Sequence, residues 1–375
     1  MMSNWYYFDT KGSDANTAGA KAPKDIATIL KRRGAKAIRR DVGFTKEHGV
    51  RRLLHILSCI MNWMISLIMI PAGSTVVLQH PYDVMGFTET AIRIGHRKKI
   101  KFVFFIHDIG TLRGIDTAGS AKQERCFLLA DYNVAHNDVM KRYLASKGLN
   151  PEKILCLQCF DYLVDQAVAT YTQTNQTAAN TLKNQAEAAH AGLAQRTVII
   201  AGNLDKWKSS YIYKLLASDL KFTVRLYGPY FSGKTGDHVD YRGSFAPEAL
   251  PGELTGSFGL VWDGDTLDTC SGTTGRYLRY NHPHKVSLYL AAGIPLLVWK
   301  EAAIASFIEE HHVGCCINSL QEIPHIFDTM DEKTYEDMLK NAKELSGKLR
   351  TGYFTNAVLD EIMKNEARKS AILCL

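Results

Sequence analysis

The sequence predicts an α/β protein with two domains, each built on a parallel sheet that carries helices on both faces. Its 375 residues are more than one hydrophobic core usually serves. Short β-like runs alternate with helical stretches from end to end, which is the pattern of a doubly wound parallel sheet. Hydrophobic residues at 46% and charged residues at 22% are typical of soluble globular proteins and exclude a disordered, collagen-like or multi-span membrane chain.

The first half of the chain contains six candidate strands with helices between them. The run at 102–106 is apolar at every position, as expected of a central strand that is covered on both faces. Strands are predicted at 5–8, 35–39, 75–79, 101–107, 133–135 and 153–159, and helices at 20–32, 51–70, 88–95, 121–130 and 138–147.

One apolar segment, 53–70, is almost long enough to cross a bilayer, which takes about 20 apolar residues. It contains His55 and Asn62 and runs straight into the strand predicted at 75–79. We therefore expect a buried helix of the first domain, with a helix laid against a membrane or a second subunit as the alternatives. The basic run at 97–99 would support contact with anionic lipid.

The composition changes at 167–195, where Ala, Thr, Asn and Gln dominate, and this predicts a linker or an exposed insertion. The predicted domains are 1–166 and 196–350, and a C-terminal helix within 351–375 is expected to pack back on the first domain. In the second half, strands are predicted at 197–201, 222–227, 258–262, 295–299 and 313–317, and helices at 206–216, 283–292, 302–310, 332–345 and 356–369.

Charge and cysteine content narrow the function. The net charge is +7, from 45 Lys and Arg against 38 Asp and Glu, which favours an anionic ligand such as phosphate, or an anionic lipid surface, over nucleic acid. Eight cysteines without regular spacing, including adjacent Cys315 and Cys316, indicate a reducing cytoplasm. Residues 1–10 lack a basic n-region, so we expect no signal peptide.

Parallel sheets bind ligands at the carboxyl ends of their strands, so the chemistry is expected in the loops after strands. The glycines after the first strand are too far apart for a dinucleotide-binding turn. After the strand at 197–201 come Gly202, Asn203 and then Lys206 at a predicted helix start, where backbone N–H groups attract phosphate. An ordinary turn capped by Asn203 is the alternative.

A second basic helix start follows at 281–298. Pro283 occupies a favoured position at the beginning of a helix, so His284 and Lys285 lie in its positive first turn. Cations are unfavourable there unless an anion binds nearby, which argues for a functional role.

With these motifs the chain resembles the nucleotide-sugar glycosyltransferases of GT-B type, which have two Rossmann-like, doubly wound domains facing a cleft. Within them it is similar to bacterial β-1,6-galactofuranosyltransferases and to the glucosyltransferase of the accessory-secretion loci that glycosylate serine-rich adhesins. The phrase NHPHKVSLYLAAGIPLLV at 281–298 is the most specific part, joined by FFIHD at 104–108, AGNLDKW at 201–207 and GLVWDGD at 259–265. The likeness spans nearly the whole chain and is weakest over 167–195.

The resemblance implies roles for individual residues in binding a UDP-sugar. Lys285 and Lys206 would neutralise the donor diphosphate, Tyr227 would face the nucleobase or ribose, and Thr17 would reach the diphosphate from the other domain. The other predicted donor-binding residues are Gly202, Asn203, Asp263, Asn281 and His284.

Many retaining GT-B enzymes carry a glutamate where this chain has Leu288, which favours an inverting transfer. An inverting transfer needs a base for the acceptor hydroxyl. His107 and Asp108 close the most apolar strand, and one of them is the base while the other orients it. In the alternative interpretation, Asp108 caps the following loop and His107 is part of the cleft wall. His80 is a lesser candidate.

No metal is expected, because no acidic triplet follows a strand of the first domain and the lysines would act in place of a divalent ion. Asp263-Gly264-Asp265 in the second domain is the observation that weakens this expectation.

The sequence thus predicts a cytoplasmic bacterial hexosyltransferase. It would move glucose, GlcNAc or galactofuranose from a UDP-sugar to a glycan or glycosylated protein, form a homo-oligomer, and touch the inner face of the membrane peripherally. Two alternatives stay open: a catalytically silent partner subunit of the same fold, and a UDP-sugar epimerase.

Overall fold

The computed structural model describes residues 2–10, 18–40, 48–81, 87–114, 118–164 and 192–373. These residues form two compact units. The first contains 2–10, 23–158 and 354–373, and the second contains 18–22, 159–164 and 192–353. Thr17 and most of the segment 167–195, for which the sequence makes predictions, lie outside the described residues.

The first unit is built on a six-stranded parallel sheet in the order β2-β1-β3-β4-β5-β6. The strands are β1 (Trp5–Thr10), β2 (Lys36–Arg40), β3 (Thr75–His80), β4 (Lys101–Ile106), β5 (Tyr132–Ala135) and β6 (Ile154–Cys156). The helices between them are α1 (Ala18–Arg32), α2 (Gly49–Met69), α3 (Phe87–Arg97), α4 (Ala118–Leu129) and α5 (Asp138–Ser146).

Strand β4 is the centre of the first unit. It pairs with β3 on one side and β5 on the other, and Phe102 through Ile106 are at most 1% exposed. This confirms the prediction of a strand covered on both faces, since an apolar side chain at every position is stable only where both faces are dry.

The second unit is built on another six-stranded parallel sheet, in the order β12-β11-β10-β7-β8-β9. The strands are β7 (Thr197–Ala201), β8 (Thr223–Tyr227), β9 (Val239–Tyr241), β10 (Phe258–Val261), β11 (Leu296–Trp299) and β12 (Gly314–Ile317). The helices are α6 (Ser210–Leu216), α7 (Leu250–Glu253), α8 (Gly272–Tyr277), α9 (His284–Ala291), α10 (Ala305–Glu310), α11 (Ile323–Thr329), α12 (Glu332–Thr351) and, in the first unit, α13 (Tyr353–Leu373).

Strand order locates the ligand-binding edge of the second unit. Counted from β7, the order is the 3-2-1-4-5-6 arrangement of Rossmann folds, and it reverses between β7 and β10. Ligands of such sheets bind beyond the carboxyl ends of the strands at this switch point. The loops that begin at Gly202 and Trp262 therefore lie where such sheets bind ligands.

Helix α9 is seated on the sheet next to this switch point through Tyr289. The Tyr289 hydroxyl accepts a hydrogen bond from the Ala201 N–H at 2.7 Å, at the end of β7. The ring lies on Gly259 of β10, where an added Cβ would come within 2.3 Å of Tyr289 Cγ. A glycine in the strand thus allows α9 to approach closely, which sets the position of Lys285 one turn earlier.

Helix α13 belongs to the first unit and is held there by polar contacts. Arg33 donates to the Asp360 carboxylate at 2.5 Å, and the Tyr132 hydroxyl donates to Glu366 at 2.8 Å. Lys101 forms an ion pair with the same Glu366. These contacts join the C-terminal helix to the turn after α1 and to β4 and β5.

Several predicted boundaries are wrong. The strand predicted at 153–159 ends at Cys156, the helix predicted from 206 begins at Ser210, and the short strand β9 was not predicted. Helix α12 runs on to Thr351, where Gly352 ends it in the left-handed conformation at φ 86°.

The prediction of a buried helix at 53–70 is also wrong. Helix α2 buries Cys59, Trp63 and Leu67 against the first unit, and the Trp63 ring lies 4.6 Å from that of Phe8. Most of its other apolar side chains are exposed. Both sides of the helix are apolar, so composition did not reveal that only one of them is covered.

Replacing Gly259 with alanine should destabilise the second unit, because the new methyl group would overlap the Tyr289 ring. Overpacking of this kind typically costs about 1–3 kcal/mol. The free energy of unfolding, measured with urea, checks the loss. Gly347→Ala is the control, because that glycine lies in α12 with open space at its Cβ position and should be neutral or stabilising. Equal stabilities of the two variants would contradict the packing assigned to Tyr289.

Candidate functional site

A lysine stands at the switch point of the second sheet. Lys285 Nζ donates to the Trp262 carbonyl at 3.0 Å and to Asp263 Oδ1 at 2.8 Å, both just after β10. Its Cε would be 3.7 Å from a Cβ added to Gly202, the first residue after β7. The side chain of Lys285 is 20% exposed. The loops after both switch-point strands therefore meet around one ammonium group.

The local sequence explains how the lysine reaches this position. Pro283, with φ −72° and ψ 139°, is the N-cap of α9, so Lys285 is the second helical residue. The positive end of the helix dipole disfavours a cation there. Asp263 compensates with its charge, which explains why an acidic residue follows β10.

Lys285 is cationic at neutral pH. Burial disfavours its charged form, but the charge and the hydrogen bond of Asp263 outweigh burial and raise the pKa of Lys285 above its ordinary value. The site thus holds an ammonium group, paired with Asp263, at the edge where this fold binds ligands.

His284 does not contribute a second charge. Burial lowers its pKa to about 4, and its ring lies 4.6 Å from that of Phe160. The prediction that both His284 and Lys285 place cations in the first turn is therefore wrong for His284, which is neutral at pH 7. Burial is a tertiary property that the sequence pattern did not contain.

Asn281 precedes the helix as predicted, and it is partly buried. Its Oδ1 atom is shielded from solvent and has no hydrogen-bond partner in the described part of the chain. An amide with an unmatched oxygen is a group that a ligand donor could satisfy. Its neighbour His282 is buried and lies 3.3 Å from the Cys159 sulfur, so it belongs to the core.

The loop after β7 is stabilised by side-chain hydrogen bonds to its own backbone. Asn203 Oδ1 accepts from the Asp205 N–H at 2.8 Å, and Asp205 Oδ1 accepts from the Trp207 N–H at 2.8 Å, which forms two successive Asx turns. Gly202 has φ 137°, and a Cβ on Gly228 would come within 1.8 Å of the Gly202 oxygen. The loops after β7 and β8 are thus packed backbone against backbone.

Lys206 lies in this loop but not in a helix. Residues 206–208 form a turn and α6 begins at Ser210, so the predicted helix start at Lys206 is wrong. The Asx turns delay the helix by capping the chain first. The Lys206 side chain is exposed, with Nζ 5.9 Å from the centre of the Tyr213 ring.

Tyr227 does not face a ligand. It is 2% exposed, and its hydroxyl donates to the Glu253 carbonyl at 3.0 Å and accepts from the Thr255 N–H at 3.2 Å. The prediction of a nucleobase contact is therefore wrong for this side chain. Tyr230, three residues later, is 67% exposed with φ 70° and was not singled out in the sequence.

The acidic pair after β10 does not form a cluster. Asp263 pairs with Lys285, whereas Asp265 accepts from Ser210 Oγ at 3.3 Å through its side chain. Within the described ranges no three His, Cys, Asp or Glu side chains are grouped so that they could hold a metal ion.

In the first unit, His107 and Asp108 follow β4 directly, as predicted. His107 Nε2 lies 2.7 Å from Gln79 Oε1, and its Nδ1 atom is shielded from solvent. The Gln79 amide nitrogen donates to the Pro23 carbonyl at 3.0 Å, which turns Oε1 toward the histidine and makes Nε2 the protonated nitrogen. Asp108 Oδ2 pairs with Arg113, and its side chain is 25% exposed.

Gln79 and Arg113 were missed by sequence reasoning. A signal existed for Gln79, since it is a polar residue near the end of the apolar strand TVVLQH. His80, the lesser base candidate, is 2% exposed, and burial lowers its pKa to about 3. It is therefore a neutral core residue.

Two units, each built on a six-stranded parallel sheet, are the architecture of the GT-B class of glycosyltransferases. The chain belongs to the Glucosyltransferase 3-like family. Residues 4–159 match the N-terminal domain of that family and residues 198–362 match its C-terminal domain. The protein is thus a glycosyltransferase, which favours a transferase over the two alternatives left open above.

Individual relatives agree with this assignment. The chain is 38% identical to the β-1,6-galactofuranosyltransferase WbbI of Escherichia coli K12 over 270 residues, or 71% of this chain and 72% of the relative. It is 24% identical to Glucosyltransferase 3 of Streptococcus gordonii over 304 residues, or 78% and 80% of the two chains.

Solved structures share the fold. Anabaena Alr3699/HepE, crystallised with UDP, aligns with a TM-score of 0.57 at 12% identity, covering 96% of this chain and 99% of that one. The UDP-forming trehalose-phosphate synthase of Burkholderia vietnamiensis aligns with a TM-score of 0.61 at 12% identity, covering 97% and 99%.

The partly buried His284 should make folding sensitive to acid. Its folded pKa of about 4 lies below its ordinary value of 6.5, so between these pH values the unfolded chain binds a proton that the folded chain does not. Stability should therefore fall as the pH drops from 7 to 5, with His284 accounting for on the order of 2 kcal/mol. His284→Gln should remove that part of the loss, as measured by urea unfolding at both pH values.

His238→Gln is the matched control, because it makes the same substitution at an exposed histidine. If His284→Gln and the parent protein lose the same stability on acidification, His284 is not held neutral.

Proposed function

We propose that the protein transfers a hexose from a UDP-sugar to a glycan or glycoprotein acceptor, with inversion and without a metal ion. The observation that carries this proposal is the Lys285 ammonium held at the switch point by Asp263. The names of the relatives support a sugar transfer, and the UDP in the Anabaena structure supports the nucleotide.

The lysine has one N–H left for the donor. An ammonium has three N–H donors, and Lys285 uses two of them on the Trp262 carbonyl and Asp263. The third can bind an oxygen of the diphosphate. As the bond from the sugar carbon to UDP breaks, charge grows on that oxygen, and a preorganised cation stabilises it without reorganisation.

The loop after β7 supports the same diphosphate. Gly202 carries no Cβ, so its backbone can approach a phosphate closely. Lys206 is exposed on this loop and supplies a second charge from the solvent side. Two lysines and a glycine loop would together take the place of a divalent ion.

Asp108 is the proposed base. His107 Nε2 is bonded to Gln79, which leaves only its Nδ1 atom, whereas Asp108 keeps Oδ1 beside the Oδ2 that pairs with Arg113; both Nδ1 and Oδ1 are shielded from solvent, and the Asp108 side chain as a whole is one quarter exposed. A carboxylate can accept from Arg113 and still accept the proton of an acceptor hydroxyl. The hydroxyl oxygen then attacks the sugar carbon, and UDP leaves. His107, oriented by Gln79, forms the adjacent wall.

The relatives suggest glucose or galactofuranose as the transferred sugar, and GlcNAc is the third candidate. We propose a cytoplasmic location, because none of the seven cysteines in the described ranges forms a disulfide. We also propose that the protein forms a homo-oligomer. The exposed apolar side of α2 would serve either as a subunit contact or as a peripheral membrane contact.

Lys285→Ala should abolish sugar transfer and weaken UDP binding at least 100-fold, because a charge-assisted contact to the diphosphate is lost. Calorimetry with UDP and product analysis with UDP-glucose, UDP-GlcNAc and UDP-galactofuranose check both effects. Lys340→Ala is the control, since that lysine is exposed on α12. Persistence of UDP binding and transfer in Lys285→Ala would refute the site.

Asp108→Asn should lower kcat by about 10²–10⁴ while changing KM little, because it removes the base but keeps the shape. His107→Gln should have a much smaller effect on kcat. The ratio of the two losses in kcat separates the roles, since the larger loss marks the base. The reverse pattern would make His107 the base.

A further inference from the structure

The chain between β10 and α8 folds into a closed loop, named here the β10–α8 loop, which runs from Trp262 to Ser271. The Trp262 indole N–H donates to the Thr266 carbonyl at 3.0 Å, and the Thr266 hydroxyl donates to the Thr269 carbonyl at 2.7 Å. Gly264 has φ 112° and lies against Ser271, where an added Cβ would come within 2.3 Å of the Ser271 oxygen. The shape of the loop is therefore set by its own internal contacts.

Asp265 carries a carboxylate that this loop does not need for its own structure. The Asp265 N–H donates to Ser271 Oγ at 3.3 Å, and the Asp265 carbonyl accepts from Lys214 Nζ at 2.6 Å, so the backbone is held without the side chain. The side chain is exposed, and in the described part of the chain it accepts one hydrogen bond, from Ser210 Oγ at 3.3 Å. A carboxylate can accept about four, so most of its capacity is unused.

The carboxylate of Asp265 is nevertheless confined. Ser210, at the start of α6, contacts it on one side. At the start of α8, Gly272 has φ 70°, and a Cβ added there would come within 2.9 Å of Asp265 Oδ2. A group that discriminates between similar ligands by hydrogen bonding has to be held in place, because a mismatched partner is rejected only if the group cannot move to meet it.

Asp265 lies within reach of a sugar whose phosphate is bound at Lys285. It follows Asp263, the partner of Lys285, by two residues, which span at most about 7 Å. In a nucleotide-sugar the sugar is joined to the terminal phosphate through one oxygen, so it lies beside the cation that binds this phosphate. Sugar hydroxyls are donors that a carboxylate can bind, whereas a phosphate is itself an anion and is repelled.

We propose that Asp265 accepts hydrogen bonds from neighbouring hydroxyls of the transferred hexose and thereby selects the donor sugar. This inference rests on the proposed function, because it takes Lys285 as the group that binds the donor diphosphate. Hydrogen bonds from a hydroxyl to a carboxylate are short and charge-assisted. Their strength depends on where each hydroxyl points, so a sugar of another configuration or ring size leaves the carboxylate poorly matched.

Asp265→Asn should weaken binding of the UDP-sugar that the parent protein binds most tightly by about 10- to 100-fold, because charge-assisted hydrogen bonds become neutral ones. UDP, which lacks the hexose, should bind the variant as it binds the parent. Calorimetry without acceptor, using UDP, UDP-glucose, UDP-GlcNAc and UDP-galactofuranose, measures both affinities. Asp268→Asn is the matched control, because it makes the same substitution at another exposed carboxylate of the loop and should bind every ligand normally.

Analogues of the preferred UDP-sugar that each lack one hydroxyl identify the groups that Asp265 binds. The parent protein should bind at least one of them about 10-fold or more weakly than the intact donor, whereas Asp265→Asn should not distinguish the two. Equal losses of affinity for UDP and for the UDP-sugar in Asp265→Asn would overturn the proposal, since they would place Asp265 at the uridine or the diphosphate. Unchanged affinities for both ligands would also overturn it. A parent protein that binds neither UDP nor any of the UDP-sugars would refute the proposed function, and this inference with it.

Discussion

The ion pair between Asp263 and Lys285 is the interaction on which the donor site depends. A lysine in the first turn of a helix is opposed by the helix dipole and by burial, so it stays charged only if a carboxylate lies next to it. Asp263 supplies that carboxylate from the loop after β10 at 2.8 Å. The cation therefore exists before any ligand arrives, and a diphosphate meets a site that is already organised.

Glycines bring the elements around this pair into contact. Gly259 lets the Tyr289 ring lie on β10, which seats α9, and Gly228 lets the loop after β8 touch the Gly202 carbonyl. Any side chain at these positions would push apart the two loops and the helix that surround Lys285. The position of the Lys285 ammonium group thus depends on the close backbone packing, because it follows from the position of α9.

The features that could be predicted from sequence are those with a local cause. Apolar runs predicted the central strands, and Pro283 predicted the start of α9. Features that depend on packing were missed. The neutrality of His284 comes from burial, the inward direction of Tyr227 from its partners Glu253 and Thr255, and the delayed start of α6 from the turns after β7. None of these features produces a periodic pattern in the sequence.

Helix α2 is a second example of packing that the sequence pattern does not reveal. Its sequence is apolar on two sides, and periodicity cannot tell which side meets the core. The structure shows that Trp63 occupies the core side, so the opposite side needs another partner to leave water. The exposed apolar side of α2 lies in the first unit and Lys285 in the second.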